Sequence, residues 1–324
     1  MSENPVFDAV FQSWRTSVIR TACGLGVFSR LENGPLSAGA LALELGCVPR
    51  LLEAVLDACV GMGLLTRAAA CYRNSHLSGA YLVEGRPLYL GHILEVQARD
   101  AALWDRLLDV VRTGEVPRVR AGAAEDDPVF TMAMNDLGAH EEAETLAGAV
   151  DLSGCCTLLD VGCGSGLYAI ALCRRNPRLR ATLIDREQVL RTTRAMVAAS
   201  GMAERIETRA ADMRECDFGS ERDAILLSDS LYDDHDVARR VLRAVHAALA
   251  PGGRVIVRGY YPDPGESESA FGALFRLNLL ISDPARTPPT APDVAALLAE
   301  NRFVDIRRFP LTERSTCLLG NRPV

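Results

Sequence analysis

The sequence predicts an α/β protein in which a parallel, doubly wound sheet follows a mainly helical N-terminal domain. The chain has 324 residues, which is enough for two domains. Its first part has the apolar spacing of amphipathic helices, and after Leu152 short apolar runs alternate with helical stretches. We therefore expect an N-terminal domain over residues 1–95, a helical connection over 96–150 that contributes to a ligand pocket, and a C-terminal sheet domain over 151–324.

The N-terminal domain is predicted to be a winged helix, because helices are followed by a short hairpin. Apolar residues four positions apart predict a first helix, Ser37 is a suitable N-cap for the next, and Pro49 suits the start of a third. The predicted elements are a helix from Val6 to Ala22, helices from Ser37 to Leu45 and from Pro49 to about Gly61, and strands at Leu64–Thr66 and Cys71–Arg73.

Apolar runs separated by helical stretches predict the parallel strands of the C-terminal domain. These strands are Thr157–Val161, Ala181–Ile184, Ala224–Leu227 and Arg254–Val257. The final two strands, Phe303–Phe309 and Ser315–Leu319, have no helix-length insert between them. They therefore predict an antiparallel hairpin at the edge of the sheet.

The composition excludes several classes of enzyme and binding protein. All 35 residues counted as Lys or Arg are arginine, which excludes lysine Schiff-base chemistry and P-loop nucleotide sites. The formal net charge of −7 argues against nucleic acid and anionic membranes as partners. The sequence shows no secretory signal and no membrane-spanning segment, and its ten cysteines are scattered. These features predict reduced thiols and a cytoplasmic protein.

A glycine-rich turn between the first C-terminal strand and the next helix is the most informative motif. It contains Gly162, Gly164 and Gly166, and Asp160 precedes it. Dinucleotide sites favour GxGxxG spacing, in which a helix N-terminus faces a pyrophosphate. The spacing here is GxGxG, and the Asp160 carboxylate suits the ammonium and sulfonium groups of S-adenosylmethionine better than a pyrophosphate. The turn therefore favours S-adenosylmethionine over NAD, and an NAD-dependent oxidoreductase is the less favoured alternative.

Further polar residues at the ends of later strands complete a predicted cofactor site. Asp185 follows the next strand and could accept hydrogen bonds from both ribose hydroxyls. Asp212 could accept from the adenine amino group while Met213 packs on the adenine ring. Ser228, which ends another strand, is included in the predicted site.

These motifs, and others along nearly the whole chain, resemble those of the class I small-molecule O-methyltransferases. Leu31–Leu36 and Leu51–Leu65 resemble the family's dimerisation domain. The rest of the resemblance is carried by Trp104, Leu107–Leu108, Val111–Gly114, Phe130, Met134 and Ala250–Arg254. The resemblance implies a Rossmann-like class I methyltransferase sheet and a winged-helix dimerisation domain. It also implies S-adenosylmethionine as cofactor, a homodimer, and a small specialised metabolite as substrate.

The sequence departs from this family at the residue that removes the proton of the methyl acceptor. The family usually places a histidine after the fourth strand, and an alignment on Leu231 places Tyr232 there. A tyrosine, with an ordinary pKa of about 10, is a poor proton acceptor near pH 7, although its hydroxyl could orient the acceptor. Asp233, His235 and His140 are the other candidate catalytic residues, and no ligand spacing supports a metal site.

Three residues are predicted to contact the acceptor, and they are Met134, Phe275 and Asn278. Because the usual basic histidine is absent, the sequence slightly favours a carbon acceptor. Oxygen acceptors (a phenol, enol or carboxylate) and a sulfur acceptor are the alternatives. A winged-helix regulator that senses a ligand is a further alternative, but Glu53 and Asp57 on the would-be recognition helix argue against DNA binding.

Overall fold

The computed structural model describes residues 4–116, 127–232, 234–262 and 270–324. The chain forms two compact units, Met1–Ala98 and Arg99–Val324. Within the described ranges, the helices are too short or too polar to cross a membrane.

The first unit combines helices with a small antiparallel sheet. In chain order its elements are α1 (Pro5–Gly24), α2 (Val27–Leu31), β1 (Leu36–Ser37), α3 (Ala38–Leu45), α4 (Pro49–Gly61), β2 (Leu65–Ala68), β3 (Cys71–Asn74) and α5 (His76–Tyr81), after which α6 (Gly91–Trp104) follows. The strand order is β1-β3-β2, and both pairs are antiparallel. The predicted helices and the predicted hairpin are therefore confirmed.

Side chains on α4 show how this unit uses the acidic residues of the would-be recognition helix. The guanidinium of Arg67, on β2, lies 2.9 Å from a carboxylate oxygen of Asp57 and 3.4 Å from one of Glu53. Tyr72, on β3, is fully buried and donates a 2.7 Å hydrogen bond to Asp57. These acidic residues thus hold the hairpin against α4.

The second unit alternates strands and helices through most of its length. Its elements are α7 (Leu107–Thr113), α8 (Pro128–Ala139), α9 (Glu142–Ala149), β4 (Thr157–Val161), α10 (Leu167–Arg175), β5 (Arg180–Asp185), α11 (Glu187–Ala199), β6 (Ile206–Ala210), β7 (Arg222–Ser228), α12 (His235–Ala248), β8 (Leu249–Gly259), α13 (Ala270–Ser282), α14 (Ala291–Glu300), β9 (Val304–Pro310) and β10 (Thr316–Asn321).

The strands form a seven-stranded sheet in the order β6-β5-β4-β7-β8-β10-β9. The five strands from β6 to β8 are parallel, and β10 pairs antiparallel with both β8 and β9. This confirms both the predicted doubly wound parallel sheet and the predicted antiparallel hairpin at its edge. The strand order reverses direction between β4 and β7, and ligands bind open α/β sheets beside the carboxyl ends of such strands.

Alternating side chains of the sheet enter two separate hydrophobic cores. Leu158 on β4 packs in the core that contains α9, α10 and α11 residues, whereas its neighbour Leu159 packs in the core that contains α12 and α14 residues. Both leucines are fully buried. Helices therefore cover both faces of the sheet, and the carboxyl ends of its parallel strands form the rim that carries polar residues.

Two local features differ from the sequence prediction. The sequence placed a strand before Asp212 but gave no bounds for it, because the residues of β6 are mostly polar and its side chains mostly exposed at the end of the sheet. His140 was placed within a helix, but α8 ends at Ala139 and His140 is its C-cap. Its non-helical φ of −83° and ψ of 83° allow the chain to turn into α9.

Candidate active site

The glycine-rich turn between β4 and α10 has the backbone conformation that its glycines predict. Gly162, Gly164 and Gly166 all have positive φ, at 73°, 54° and 79°. A Cβ at Gly166 would approach Leu183 Cδ2 to 2.8 Å, so that a larger residue would force the Leu183 side chain to move. At Gly162 a Cβ would lie 3.2 Å from Ser230 Cβ, which shows how closely the end of β7 approaches the turn.

Asp160 places a buried carboxylate directly before this turn. Its side chain is 2% exposed, and its Oδ1 atom has no hydrogen-bond partner in the described part of the chain. Burial, and secondarily the charge of Asp185, raises the pKa of Asp160 to about 8. An unpaired buried carboxylate beside a turn without side chains suits a cationic group, as expected for the methionine part of S-adenosylmethionine.

Asp185 and Asp212 lie at the carboxyl ends of β5 and β6 but have different surroundings. Asp185 accepts hydrogen bonds from the backbone N–H of Gly164 at 2.9 Å and of Arg186 at 2.8 Å. Asp212 accepts two side-chain hydrogen bonds from Arg214, at 3.0 and 2.9 Å. These bonds and the backbone N–H of Arg214 lower the pKa of Asp212 to about 2. Asp212 would therefore share its carboxylate between Arg214 and an adenine amino group.

Met213 and Ser228 also lie at the rim of the sheet. The Met213 sulfur would be 3.6 Å from a Cβ at Gly162, so this side chain borders the turn. Ser228 is the last residue of β7, beside the loop that carries Tyr232. The structure thus brings together the residues predicted for the cofactor, and their individual roles stay predictions.

Tyr232 lies after β7, and its hydroxyl already has partners on both sides. It donates a 2.8 Å hydrogen bond to Asp229 Oδ1 and accepts a 2.6 Å hydrogen bond from the backbone N–H of Tyr260. Burial raises the pKa of the Tyr232 hydroxyl well above its ordinary value. Tyr232 is consequently unsuited to accept a proton and well suited to fix the loop between β7 and α12.

The other candidate catalytic residues lie at different places. His235 is the first residue of α12, which Asp234 caps, and it lies close enough to Asp293 to add to the lowering of that carboxyl's pKa by hydrogen bonds from Thr290. His140 contacts the Arg314 side chain through its backbone carbonyl oxygen, at 3.4 Å. Asp233 lies outside the described residues. Across the described ranges, no group of three His, Cys, Asp or Glu side chains could hold a metal ion.

A buried ion cluster, formed by Arg258, Glu142 and Asp229, lies at the carboxyl end of β8. The Arg258 and Glu142 side chains are completely buried, and Arg258 Nη2 lies 2.8 Å from Glu142 Oε2. Arg258 Nη1 also pairs with Asp229, whose other oxygen accepts the Tyr232 hydrogen bond. The ion cluster therefore connects α9 to the loop that holds Tyr232.

Electrostatics keep this ion cluster charged. Burial alone raises the pKa of Glu142, but the Arg258 charge and hydrogen bonds from Ser315 and Thr312 lower it below its ordinary value overall. Burial likewise opposes the charge on Arg258, whereas Tyr168, Tyr260 and Glu142 raise its pKa above the ordinary value. The Arg258 guanidinium also lies 4.3 Å from the Tyr260 ring centroid.

Sequence reasoning did not identify this ion cluster. Its two carboxylate partners make Arg258 unfavourable as a ligand for an anionic acceptor. The available signal was a charged residue that directly follows the apolar run Val255–Val257 in a central strand. A charge in such a position requires a buried partner, but Glu142 comes from a distant helix that the sequence alone does not specify.

Four aromatic side chains, Tyr232, Tyr260, Phe271 and Phe275, form what we call the aromatic wall. The Phe275 ring centroid lies 5.3 Å from that of Tyr232 and 5.1 Å from that of Tyr260. Phe271 lies 4.9 Å from Tyr260 and is nearly parallel to Phe275. Because Ser230 contacts the glycine turn and precedes Tyr232 by two residues, the aromatic wall begins beside the predicted cofactor site.

Asn278 shares one face of α13 with Phe271 and Phe275. Its Oδ1 atom accepts a 2.9 Å hydrogen bond from the Trp104 indole, which ties α13 to the end of α6. Met134 lies half-buried on α8, and its contact with the acceptor stays a prediction. The structure therefore joins Phe275 to Tyr232 and places Asn278 on the same helix face.

Comparisons with known proteins agree with this architecture. Residues 117–303 match the O-methyltransferase domain, and residues 7–84 match the O-methyltransferase dimerisation domain. The 3-hydroxy-5-methyl-1-naphthoate 3-O-methyltransferase of Streptomyces sahachiroi is 34% identical over 282 residues, which cover 83% of this chain and 80% of that relative. The acetylserotonin O-methyltransferase of Mus musculus is 31% identical over 315 residues, which cover 90% of this chain and 81% of the relative.

A solved structure extends the likeness to the whole fold. The crystal structure of human N-acetylserotonin methyltransferase in complex with S-adenosylmethionine superposes with a TM-score of 0.87 at 23% identity, and covers 100% of this chain and 99% of that chain. The domain matches and the relatives together establish the family. The chain belongs to the O-methyltransferase family and is an S-adenosylmethionine-dependent methyltransferase.

Proposed function

We propose that this enzyme methylates a hydroxyl oxygen on a small aromatic metabolite. The observation that carries the proposal is the aromatic wall, whose four rings pack against one another beside the glycine turn, and we infer that a planar acceptor packs against it. Aromatic side chains bind planar ligands over a large apolar area. Relatives named as O-methyltransferases of a naphthoate and of acetylserotonin support the choice of an aromatic hydroxyl.

S-adenosylmethionine, when bound, supplies a methyl group that the sulfonium already activates. The acceptor hydroxyl would take up this methyl group and lose its proton to solvent, and S-adenosylhomocysteine would be the second product. The protein's contribution is then chiefly alignment of the two reactants and exclusion of water. Asp160 would hold the cationic end of the donor, and the aromatic wall would orient the acceptor ring.

A carbon acceptor, which the sequence slightly favoured, is the second candidate. The observation in its favour is that the Tyr232 hydroxyl donates a hydrogen bond to Asp229 and has a pKa well above its ordinary value. Tyr232 therefore does not supply the base that an ordinary phenol needs. A carbon made electron-rich by a neighbouring hydroxyl or amine needs less help from a base, and so does a hydroxyl that is already acidic.

Methyl transfer from S-adenosylmethionine labelled with ¹³C in its methyl group tests the acceptor atom. The enzyme is incubated with hydroxynaphthoates, N-acetylserotonin and polyketide phenols, and the products are analysed by ¹³C NMR. We expect a methoxy carbon signal in at least one aromatic product. A signal from a methyl group bound to ring carbon would instead establish the second candidate, and the same mixture without enzyme is the control.

The proposed enzyme is a homodimer. On α1 the side chains of Val6, Phe7, Val10 and Trp14 are 71%, 57%, 63% and 69% exposed, and they follow helical spacing. A contiguous apolar face of this size favours burial against a second protein surface. The match of residues 7–84 to a dimerisation domain supports a second copy of this chain as the partner.

Charges introduced into the α1 face are expected to separate the dimer. Light scattering coupled to size exclusion should give twice the mass of one chain for the natural protein and the mass of one chain for Val10→Asp combined with Trp14→Asp. Leu43→Asp is the matched control, because Leu43 is 86% exposed on α3. A dimer that persists in the double variant would place the interface elsewhere.

The domain boundaries 1–95, 96–150 and 151–324 and the cytoplasmic location also stay predictions. All ten cysteines are free in the structure, which supports a reducing compartment. Limited proteolysis and cell fractionation would test these two predictions separately.

A further inference from the structure

Arg314 lies at the far end of the aromatic wall, in the turn between β9 and β10. Its guanidinium carbon is 5.8 Å from the Phe271 ring centroid, and Nη2 donates one long hydrogen bond, 3.4 Å, to the His140 carbonyl. In the part of the chain that the structure describes, no carboxylate lies within 4.0 Å of this guanidinium. Most of its donor groups are therefore available to a ligand.

The backbone of this turn is held rigidly by the ion cluster. The Thr312 hydroxyl accepts hydrogen bonds from the backbone N–H of Arg314 at 3.1 Å and of Ser315 at 3.2 Å. The Thr312 and Ser315 hydroxyls in turn donate to Glu142, at 2.7 and 2.5 Å. The position of the Arg314 side chain thus depends on the same buried carboxylate that pairs with Arg258.

Arg314 differs from the other arginines near the site. Arg258 is paired with two carboxylates, and Arg214 with Asp212. Arg276 faces another group, because its charge lowers the pKa of Asp293. Of these four arginines in the described part of the chain, Arg314 is therefore the one left for a ligand.

We propose that Arg314 binds an anionic substituent, a carboxylate, on the aromatic acceptor. The guanidinium presents planar paired donors that match a carboxylate, and the Phe271 ring beside it favours an acceptor whose carboxylate is attached to an aromatic ring. One end of the acceptor then meets Arg314 while the other end reaches Tyr232 and the glycine turn. This inference rests on the proposed function, since it assigns the substrate class of the same site.

The test compares two aromatic probes that differ by one carboxylate. Binding of 3-hydroxy-2-naphthoate and of 2-naphthol is measured by calorimetry in the presence of S-adenosylhomocysteine, for the natural protein, Arg314→Gln, Arg314→Lys and the exposed control Arg307→Gln. We expect the natural protein and the control to prefer the carboxylate by about 10- to 100-fold, the range for hydrogen bonds to charged groups. Arg314→Gln should remove this preference and leave 2-naphthol binding unchanged, whereas Arg314→Lys should restore part of it.

Two outcomes would overturn the inference. In the first, the natural protein binds both probes equally or binds neither. In the second, Arg314→Gln weakens the binding of both probes to the same extent. Methyl transfer to the same probes is recorded separately. A carboxylate preference that depends on Arg314 without any methyl transfer would contradict the proposed function alone, and methyl transfer without that dependence would contradict this inference alone.

Discussion

Replacement of Arg258 by leucine is expected to lower the free energy of unfolding by about 3–5 kcal/mol, because it leaves two carboxylates near each other without their cation. Glu142 is completely buried and Asp229 is 28% exposed in its side chain, so the loss falls mainly on Glu142. Urea denaturation at pH 7, followed by circular dichroism, measures the change.

Two controls separate the loss of the ion pair from the loss of packing. The double variant Arg258→Leu with Glu142→Leu removes both charges and should recover a large part of the lost stability. Arg194→Ala breaks an exposed pair with Glu187 and should leave the stability nearly unchanged, because solvent screens exposed charges. If the loss of stability in the double variant equalled the sum of the losses in Arg258→Leu and Glu142→Leu, the pairing would contribute nothing to stability.

Arg258→Leu should also reverse the pH dependence of the stability contributed by Glu142. In the natural protein the folded pKa of Glu142 is below its ordinary value, so its contribution to stability is present near neutral pH and is lost as pH falls through that lowered pKa. Without Arg258, burial raises the pKa of Glu142 instead. Arg258→Leu should therefore gain stability relative to the natural protein as pH falls from 7 to 5.

Asp160→Asn is expected to weaken S-adenosylmethionine binding by about 10- to 100-fold, the effect of a lost hydrogen bond to a charged group. Asparagine keeps the size of the side chain, and the turn does not depend on the charge. Calorimetric titration with S-adenosylmethionine measures the affinity, and Glu204→Gln, an exposed substitution, is the control. Unchanged affinity in Asp160→Asn would exclude this carboxylate from the cofactor site.

The raised pKa of Asp160 gives this prediction a pH signature. At pH 7 the carboxyl group is mostly protonated in the free protein, because its pKa is about 8. A cationic ligand favours the ionised form, so binding should release a proton, and affinity should rise about tenfold from pH 6 to 7 and level off above pH 8. Calorimetry in buffers with different ionisation enthalpies counts the released protons.

Without ligand, the stability of the protein should fall as pH rises, whereas its affinity for S-adenosylmethionine rises. Asp160 has a folded pKa above its unfolded value, so the folded state binds the extra proton and loses stability as pH rises toward 8. Asp160→Asn removes this penalty. Without ligand, its melting temperature should exceed that of the natural protein more at pH 8.5 than at pH 6.

The sequence predicted best those features that depend on neighbouring residues. The bounds of β4 match their predicted range, and α10 begins directly after the glycine turn as predicted, because an apolar run, a glycine turn and a helical pattern follow one another. The residues of the cofactor site were likewise found by their place after successive strands, since parallel strands align their carboxyl ends at one rim.

Features that depend on distant partners could not be predicted in this way. Arg258 and Glu142 meet only because α9 packs beside the end of β8, and the short polar strand β6 pairs only because β5 presents an edge to it. Arg314 was missed for the same reason, as its neighbours Phe271 and His140 come from separate elements. Pairing across a fold depends on topology, which residue type and local spacing do not encode.

The attachment of the β9–β10 turn to Glu142 has a consequence for how acceptor choice can diversify. Thr312 and Ser315 bond to the buried carboxylate, so a change at either position disturbs the hydrogen bonds that fix the scaffold. The Arg314 side chain, in contrast, has no ion pair to lose in the described chain. Position 314 can therefore exchange its side chain at little cost in stability, and laboratory evolution of new acceptors is best started there.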